Sequence, residues 1–231
     1  MNTPTQPDVT PHIIEKAKSF GASLAGIAEM DALKTSPSHN MYSRFEWPAE
    51  AKSALVLALA HQESEPALDW WGVKGGTAEN RSLQNISTAL KQDLQETYDI
   101  KAQPWPYSVE MGGIFLKDAA VLAGLGIIGL NNLLITPEFG SRVRLRALSL
   151  DTELAPTGPI DFSPCDTCGR PCQQACPQQA FASGAFSDSA CSTQMQVDEA
   201  NKVVTQAENE DFPIAYIKYC RACELACPIG K

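Results

Sequence analysis

All eight cysteines of this 231-residue chain lie in its last third, in two copies of one spacing. The first copy is Cys165-x-x-Cys168-x-x-x-Cys172-x-x-x-Cys176-Pro177, and the second is Cys220-x-x-Cys223-x-x-x-Cys227-Pro228, with Cys191 between them. A cubane iron–sulfur cluster needs four thiolates converging from several directions. Close Cys-x-x-Cys spacing supplies two or three from one loop, and a distant cysteine closes the site. In two-cluster ferredoxins the Cys before the Pro ligates the other cluster, so the two motifs are cross-stitched. Applied here, that rule assigns Cys165, Cys168, Cys172 and Cys227 to one [4Fe–4S] cluster, and Cys176, Cys191, Cys220 and Cys223 to the other. No cysteine is left over. A pair of structural zinc sites is the competing reading, because zinc also uses Cys-x-x-Cys; Cys-x-x-x-Cys-Pro is rare among zinc ribbons. Four-thiolate ligation leaves no open iron, so the clusters are expected to conduct electrons rather than bind substrate.

Disulfides are disfavoured by compartment. The N-terminus, Met1-Asn-Thr-Pro-Thr-Gln-Pro7, has no basic run, no apolar core and no twin arginine. The longest apolar stretch, 119–135, is broken by Gly124, Gly126, Gly129, Asn131 and Asn132 and is too short to span a bilayer. The expectation is a cytoplasmic protein with no membrane partner, where thiols stay reduced. A net charge of −9 repels phosphate backbones, so no nucleic-acid partner is expected.

With 44% apolar residues the chain can bury a core, and its length suits one ordinary domain plus a smaller one. Residues 11–20 read as a helix opened by Pro11 and stopped by Gly21, and 23–28 as a short strand. The apolar run 53–60 has strand length and no alternation, as expected of a strand buried on both faces. Residues 80–98 carry Leu83, Ile86, Leu90 and Leu94 at helical spacing, and 114–123 read as a buried helix. Residues 133–136 and 143–150 read as two strands joined by the turn 137–140, and 201–217 as including a helix. A Pro/Gly-rich stretch near 155–159 reads as a linker. The expected architecture is α+β: an N-terminal α/β domain over 1–155 and a two-cluster ferredoxin-like domain over 156–231, with the cofactor-binding character of the first given only by the resemblance described below.

Gly124-Leu-Gly126-Ile-Ile-Gly129 matches the dinucleotide fingerprint, but that motif needs a strand before it and a helix after it. Here the order reads as helix then strand, so the glycines are expected to permit a tight turn and close backbone approach. His12, His39 and His61 lack metal spacing and read as structural or exposed, although His61 ends a buried run where ligand sites often lie. Trp70, Trp71 and Trp105 suit either a core or a flat-cofactor pocket. Lys117 and Asp118 read as a solvated face.

Three blocks, Phe20–Ala28, Trp47–Leu59 and Gly124–Gly140, together with the cysteine array, resemble the epoxyqueuosine reductase family and the related reductive dehalogenases. The resemblance implies a cobalamin-binding α/β domain feeding on two clusters, with electrons from a ferredoxin or flavodoxin reducing a substrate at cobalt. It places Gly124, Leu125, Gly126, Gly129, Asn131 and Thr136 in the cofactor loop, and Glu110 where the family has a catalytic Asp. The chain departs from the family at Leu130-Asn131-Asn132, at Leu83-Gln84 in place of a Tyr-His pair, and at the extra Pro171 before Cys172. It also stops at Lys231, where tRNA-acting members continue into helical repeats. These departures turn the expected substrate toward a small molecule. They also keep open an electron-transfer module that binds a flavin or nothing and reduces a partner protein.

Overall fold

The structure is a computed structural model and describes residues 8–42, 45–62, 64–72, 76–205 and 214–231. Helix α1 (Thr10–Ser19) has Pro11 in its first turn and turns Ile13 and Ala17 inward. Gly21, at φ +109°, ends the run that follows it. Strand β1 (Leu24–Glu29), the short helices α2 (Met30–Lys34) and α3 (Pro37–Met41), and strand β2 (Ser53–Ala60) come next. A 3-10 turn at Pro66–Asp69 leads to β3 (Trp71–Gly72), α4 (Ala78–Tyr98) and β4 (Ala102–Pro104). A second 3-10 turn, Val109–Met111, precedes α5 (Leu116–Leu122), β5 (Ile127–Ile128), β6 (Leu134–Ile135) and β7 (Val143–Leu150). The cysteine-bearing part holds α6 (Pro171–Gln174), α7 (Asp188–Ala200), β8 (Val203–Thr205), β9 (Ile214–Ile217) and α8 (Ala222–Leu225).

The fold is α+β, and contacts divide it into two units that interleave in sequence. One comprises Met1–Leu59, Leu83–Leu125 and Leu145–Ile160; the other comprises Ala60–Ser82, Gly126–Arg144 and Asp161–Lys231. In the first unit the sheet order is β1-β2-β7-β4, with antiparallel β1–β2 and β4–β7 pairs. Its core joins Ile27, Leu55, Leu57, Leu148 and Leu150 of the sheet to the Leu83, Ile86, Leu90 and Leu94 stripe of α4. Each such fully buried side chain contributes roughly 1.5–3 kcal/mol. The opposite face is lined with small residues, Ala28, Ala54, Val56 and Ala58, all fully buried. There α5 comes so close that a Cβ on Gly26 would lie 2.2 Å from the Ala123 carbonyl oxygen. Strand β2 is therefore buried on both faces, as its unbroken apolar run implies.

The second unit has the antiparallel sheet β3-β9-β8, the hairpin β5–β6, and α6 packed on α8. The two strands read at 133–136 and 143–150 form, as β6 and β7. Residues 133–136 do not pair with 143–150; Leu134 and Ile135 pair with Ile128 and Ile127 instead. The glycine turn makes this possible, since a Cβ on Gly126 would sit 2.1 Å from the Ile135 carbonyl oxygen. The turn 137–140 closes on itself through Gly140 N–H to Thr136 O (3.0 Å) and Thr136 N–H to Gly140 O (2.8 Å). Of the 201–217 segment read as including a helix, the described ends are strands, β8 and β9. Helix α7 lies earlier, capped where Ser187 Oγ accepts the Ala190 N–H at 3.3 Å, and the β-branched Val203-Val204-Thr205 forms a strand. Residues 206–213 of that expected helix lie outside the described residues. No helix among the described residues is long and apolar enough to cross a membrane.

Candidate metal centres

The two cysteine motifs fold alike. Each runs through a turn into a one-turn helix, α6 carrying Cys172 and α8 carrying Cys223, and each ends in a Cys-Pro step. Cys172 and Cys227 are buried, Cys220 is exposed, and the other five are half-buried. Mutual proximity sorts the thiols. Burial raises the Cys172 thiol, the Gln173 N–H offsets part of this, and Cys168, Cys227 and Cys165 raise it further. Burial also raises Cys191, with Cys176 and Cys220 as its neighbouring thiols. Burial pushes Cys223 up to about 12, with Cys220, Cys191 and Cys176 adding to it. The structure thus brings together Cys165, Cys168, Cys172 and Cys227 in one place, and Cys176, Cys191, Cys220 and Cys223 in another. Thiols that resist ionisation next to one another need a cation to become thiolates together, and bound iron supplies that charge. The Ala180 N–H already points at the Cys176 sulfur, 3.3 Å away.

A buried polar network adjoins the second group in sequence, and the motif reading missed it. Arg221 stands between Cys220 and Cys223. Its guanidinium meets Asp69 Oδ2, lies 2.9 Å from His61 Nδ1, and grips Glu224 at 2.5 and 3.2 Å. Arg144 holds the other Asp69 oxygen through Nε (3.2 Å) and Nη2 (3.0 Å). His61 Nδ1 also contacts Asp69 Oδ2 and lies 3.4 Å from Glu79 Oε2. The side chains of His61, Asp69 and Glu79 are 1%, 2% and 4% exposed, so water does little to screen them.

One proton decides the charge state of this network. Burial opposes the Asp69 carboxylate, but His61, Glu79 and Arg144 outweigh burial and hold it below the ordinary carboxylate range. Burial, a shared hydrogen bond and the Asp69 charge push Glu79 up to about 8. Neither Glu79 oxygen has a hydrogen-bond partner in good geometry among the described residues, and the raised pKa favours the neutral carboxyl there. His61, Asp69 and Glu79 also offer three donor atoms within 4.8 Å of one another, a set that suits a divalent cation. Arg221 already places its positive group on two of those atoms, Asp69 Oδ2 and His61 Nδ1, and acts as the resident cation.

The remaining sequence candidates are scattered. Glu110 is exposed in the Val109–Met111 turn. Leu125 is buried and donates its N–H to Ala120 O at 2.9 Å. Gly124, at φ +73°, packs against Thr157, and a Cβ there would lie 2.6 Å from the Thr157 oxygen. Gly126 and Gly129 pack on Ile135 in the same manner. The order around them is helix α5, turn, strand β5, the reverse of a dinucleotide site. Thr136 Oγ1 is satisfied within its own turn by Phe139 N–H (3.0 Å) and Gly140 O (3.2 Å). Asn131 accepts the Leu133 N–H through Oδ1, while its buried Nδ2 has no partner among the described residues. His12 is exposed, and His39 is structural. The His39 ring bonds Ser36 Oγ (2.8 Å), accepts the Phe115 N–H (3.1 Å), and burial lowers its pKa. Trp105 is buried, Trp70 lies under the Lys218 ammonium (3.9 Å to the ring), and Trp71 meets Tyr219 edge-on.

Lys117 and Asp118 require a correction. Asp118 is 4% exposed and accepts bonds from Ser36 Oγ, Ser38 N–H and Ser38 Oγ at 2.8–2.9 Å. Burial lowers the Lys117 pKa. Asp118 belongs to the interior, with Lys117 half-buried beside it, because Asp118 anchors the start of α3, a long-range demand that helix periodicity does not reveal.

No protein-family model matches the chain. It is 29% identical over 197 residues to an epoxyqueuosine reductase of Bacillus anthracis, covering 78% of this chain and 49% of that protein. The chain is similar to epoxyqueuosine reductases. A solved epoxyqueuosine reductase in complex with an epoxyqueuosine-modified tRNA stem loop matches it with a TM-score of 0.63 at 23% identity. That match covers 96% of this chain and 65% of the other. A reductive dehalogenase described as acting by B12-dependent dehalogenation matches with a TM-score of 0.54 at 19% identity, over 77% and 27%. At these identities the two structures establish a shared fold. The chain spans about half the length of the curated relative above.

Proposed function

We propose that the chain is an iron–sulfur oxidoreductase that passes low-potential electrons through two [4Fe–4S] clusters to a corrinoid-type cofactor, at which a small substrate is reduced. One observation carries this reading: the eight cysteines gather into two groups of four, and Cys227 of the second motif joins the first group. That cross-stitch is the two-cluster ferredoxin arrangement. Cys165, Cys168, Cys172 and Cys227 would hold one cluster, and Cys176, Cys191, Cys220 and Cys223 the other. The Ala180 N–H on the Cys176 sulfur stabilises the more electron-rich state of its cluster.

The corrinoid part has narrower support. A corrin is a broad apolar ring with amide substituents, and when bound it supplies a strongly reducing metal. The β5–β6 hairpin offers exposed Ile128 and Leu130, and the buried Asn131 amide nitrogen has no partner among the described residues, which suits such a group. The glycines act differently: the space beside Gly124, Gly126 and Gly129 is filled by the chain itself, so they shape the turn. Glu110, exposed at its turn, is the proton donor in this reading. Electrons would enter from a ferredoxin or flavodoxin in the cytoplasm. A related structure holds a tRNA stem loop, so net charge alone does not remove nucleic acid from this fold. The small-substrate reading leans on the −9 charge. The filled glycine turn also favours a second reading, an electron-transfer module that reduces a partner protein.

Anaerobic reconstitution with iron and sulfide, then cobalamin titration followed by absorbance and EPR, separates these readings. About eight irons with a cobalamin response is the expected result. About eight irons without that response leaves the electron-transfer module. Failure to bind iron ends both.

A further inference from the structure

The two cysteine motifs repeat in spacing and differ in charge. Between the first two ligands the first motif places Asp166-Thr167, and the second places Arg221-Ala222. Arg221 is the better tethered. Asp69 Oδ2 accepts from it, Glu224 pairs with it, and Asp69 is itself fixed by Arg144 and by its place at the end of the Pro66–Asp69 turn. On the other side of the same loop, Cys220 N–H donates to Asp198 Oδ2 at 2.7 Å.

We propose that Asp69 is the positioning residue for the Cys220–Cys223 ligand pair, acting through Arg221, and that it offsets the positive charge Arg221 brings beside those ligands. The inference rests on the two-cluster reading for its electronic half only. The guanidinium is held on two sides, through Nη1 by Asp69 Oδ2 and through Nε and Nη2 by the two Glu224 oxygens, and such a fork fixes direction as well as distance. Tethering the Arg221 side chain restrains the backbone it hangs from, which runs between Cys220 and Cys223. A cation beside a cluster favours the added electron. Exposing that cation therefore raises the potential of its own cluster and leaves the other unchanged.

Two measurements test this on the full chain. In iron-free protein, thiol alkylation mapped by mass spectrometry reads the positioning. Asp69→Asn speeds labelling of Cys220 and Cys223 several-fold over wild type, with Cys165 and Cys168 unchanged. In reconstituted protein, an EPR-monitored redox titration reads the charge. Asp69→Asn moves one midpoint positive by on the order of tenfold in the electron equilibrium, about 59 mV for one electron. The double variant Asp69→Asn with Arg221→Gln brings that midpoint back toward wild type. Uniform acceleration at all eight thiols, or loss of both clusters together, makes Asp69 a general stability residue and overturns the proposal. So do two unmoved midpoints. If wild-type chain binds no iron, the two-cluster reading fails by itself, and the labelling result still decides whether Asp69 positions the loop.

Discussion

Glu79 keeps its proton because an ionised carboxylate there would face Asp69 in a site that water does not reach. Its pKa in the folded chain, about 8, stands well above that of an unfolded glutamate, about 4.3. The folded state thus holds the proton more tightly. The stabilisation from Glu79 is complete below about pH 4 and is lost as pH rises through 8. Glu79→Gln keeps a donor facing Asp69 and removes the titration. Melting curves from pH 5 to pH 9 should therefore fall in wild type and stay flatter in the variant; parallel curves would refute the assignment. At this scale the sequence is legible only where the ligands themselves are close in number. Cysteines three and four residues apart announce one loop. His61, Asp69, Glu79 and Arg221 come from separate segments and meet only through tertiary packing, so no spacing signals them. A sharper clue was present in the arginine between two cysteine ligands.

Elements read from local apolar pattern, a one-sided stripe or an unbroken run, emerge as expected. The stripe Leu83, Ile86, Leu90 and Leu94 makes α4, and the unbroken run of β2 makes a central strand. Pairing is another matter, because register depends on a partner strand that local pattern does not name. The 133–136 segment has strand character, yet the glycine turn delivers it to β5 and not to β7. The turn that follows is locked from outside. Gly140, at φ +56°, would place a Cβ 2.0 Å from the Ile229 carbonyl oxygen, and Arg142 grips Cys227 O, Ile229 O and Gly230 O. Gly140→Ala should cost the left-handed strain of about 1–2 kcal/mol plus displacement of the 229–230 backbone. Gly112→Ala supplies the control: φ is +86° with nothing within 4 Å, so only the strain remains. Urea midpoints should fall further for Gly140→Ala; equal shifts would show that the contact with Ile229 carries no energy.

Across the whole molecule, the grouping of thiols predicts a non-local pattern of loss. Cys227→Ser belongs by sequence to the second motif but should behave like Cys172→Ser, each leaving about four irons and the same surviving EPR signal. Cys223→Ser should leave the other signal. Iron counts and spectra that follow motif membership instead would break the cross-stitched assignment. The α+β character and the cysteine-bearing C-terminal segment are evident from composition along the chain. The participation of 60–82 and 126–144 in the second unit is not, because those residues look like ordinary connections and turns until they are packed. That interleaving has a hereditary consequence. No single recombination breakpoint in the gene separates the two units, so neither can be inherited as a cassette. The cysteine-bearing segment 161–231 must change together with the segments that supply Asp69, Glu79 and Arg144, which makes this chain a poor donor of parts.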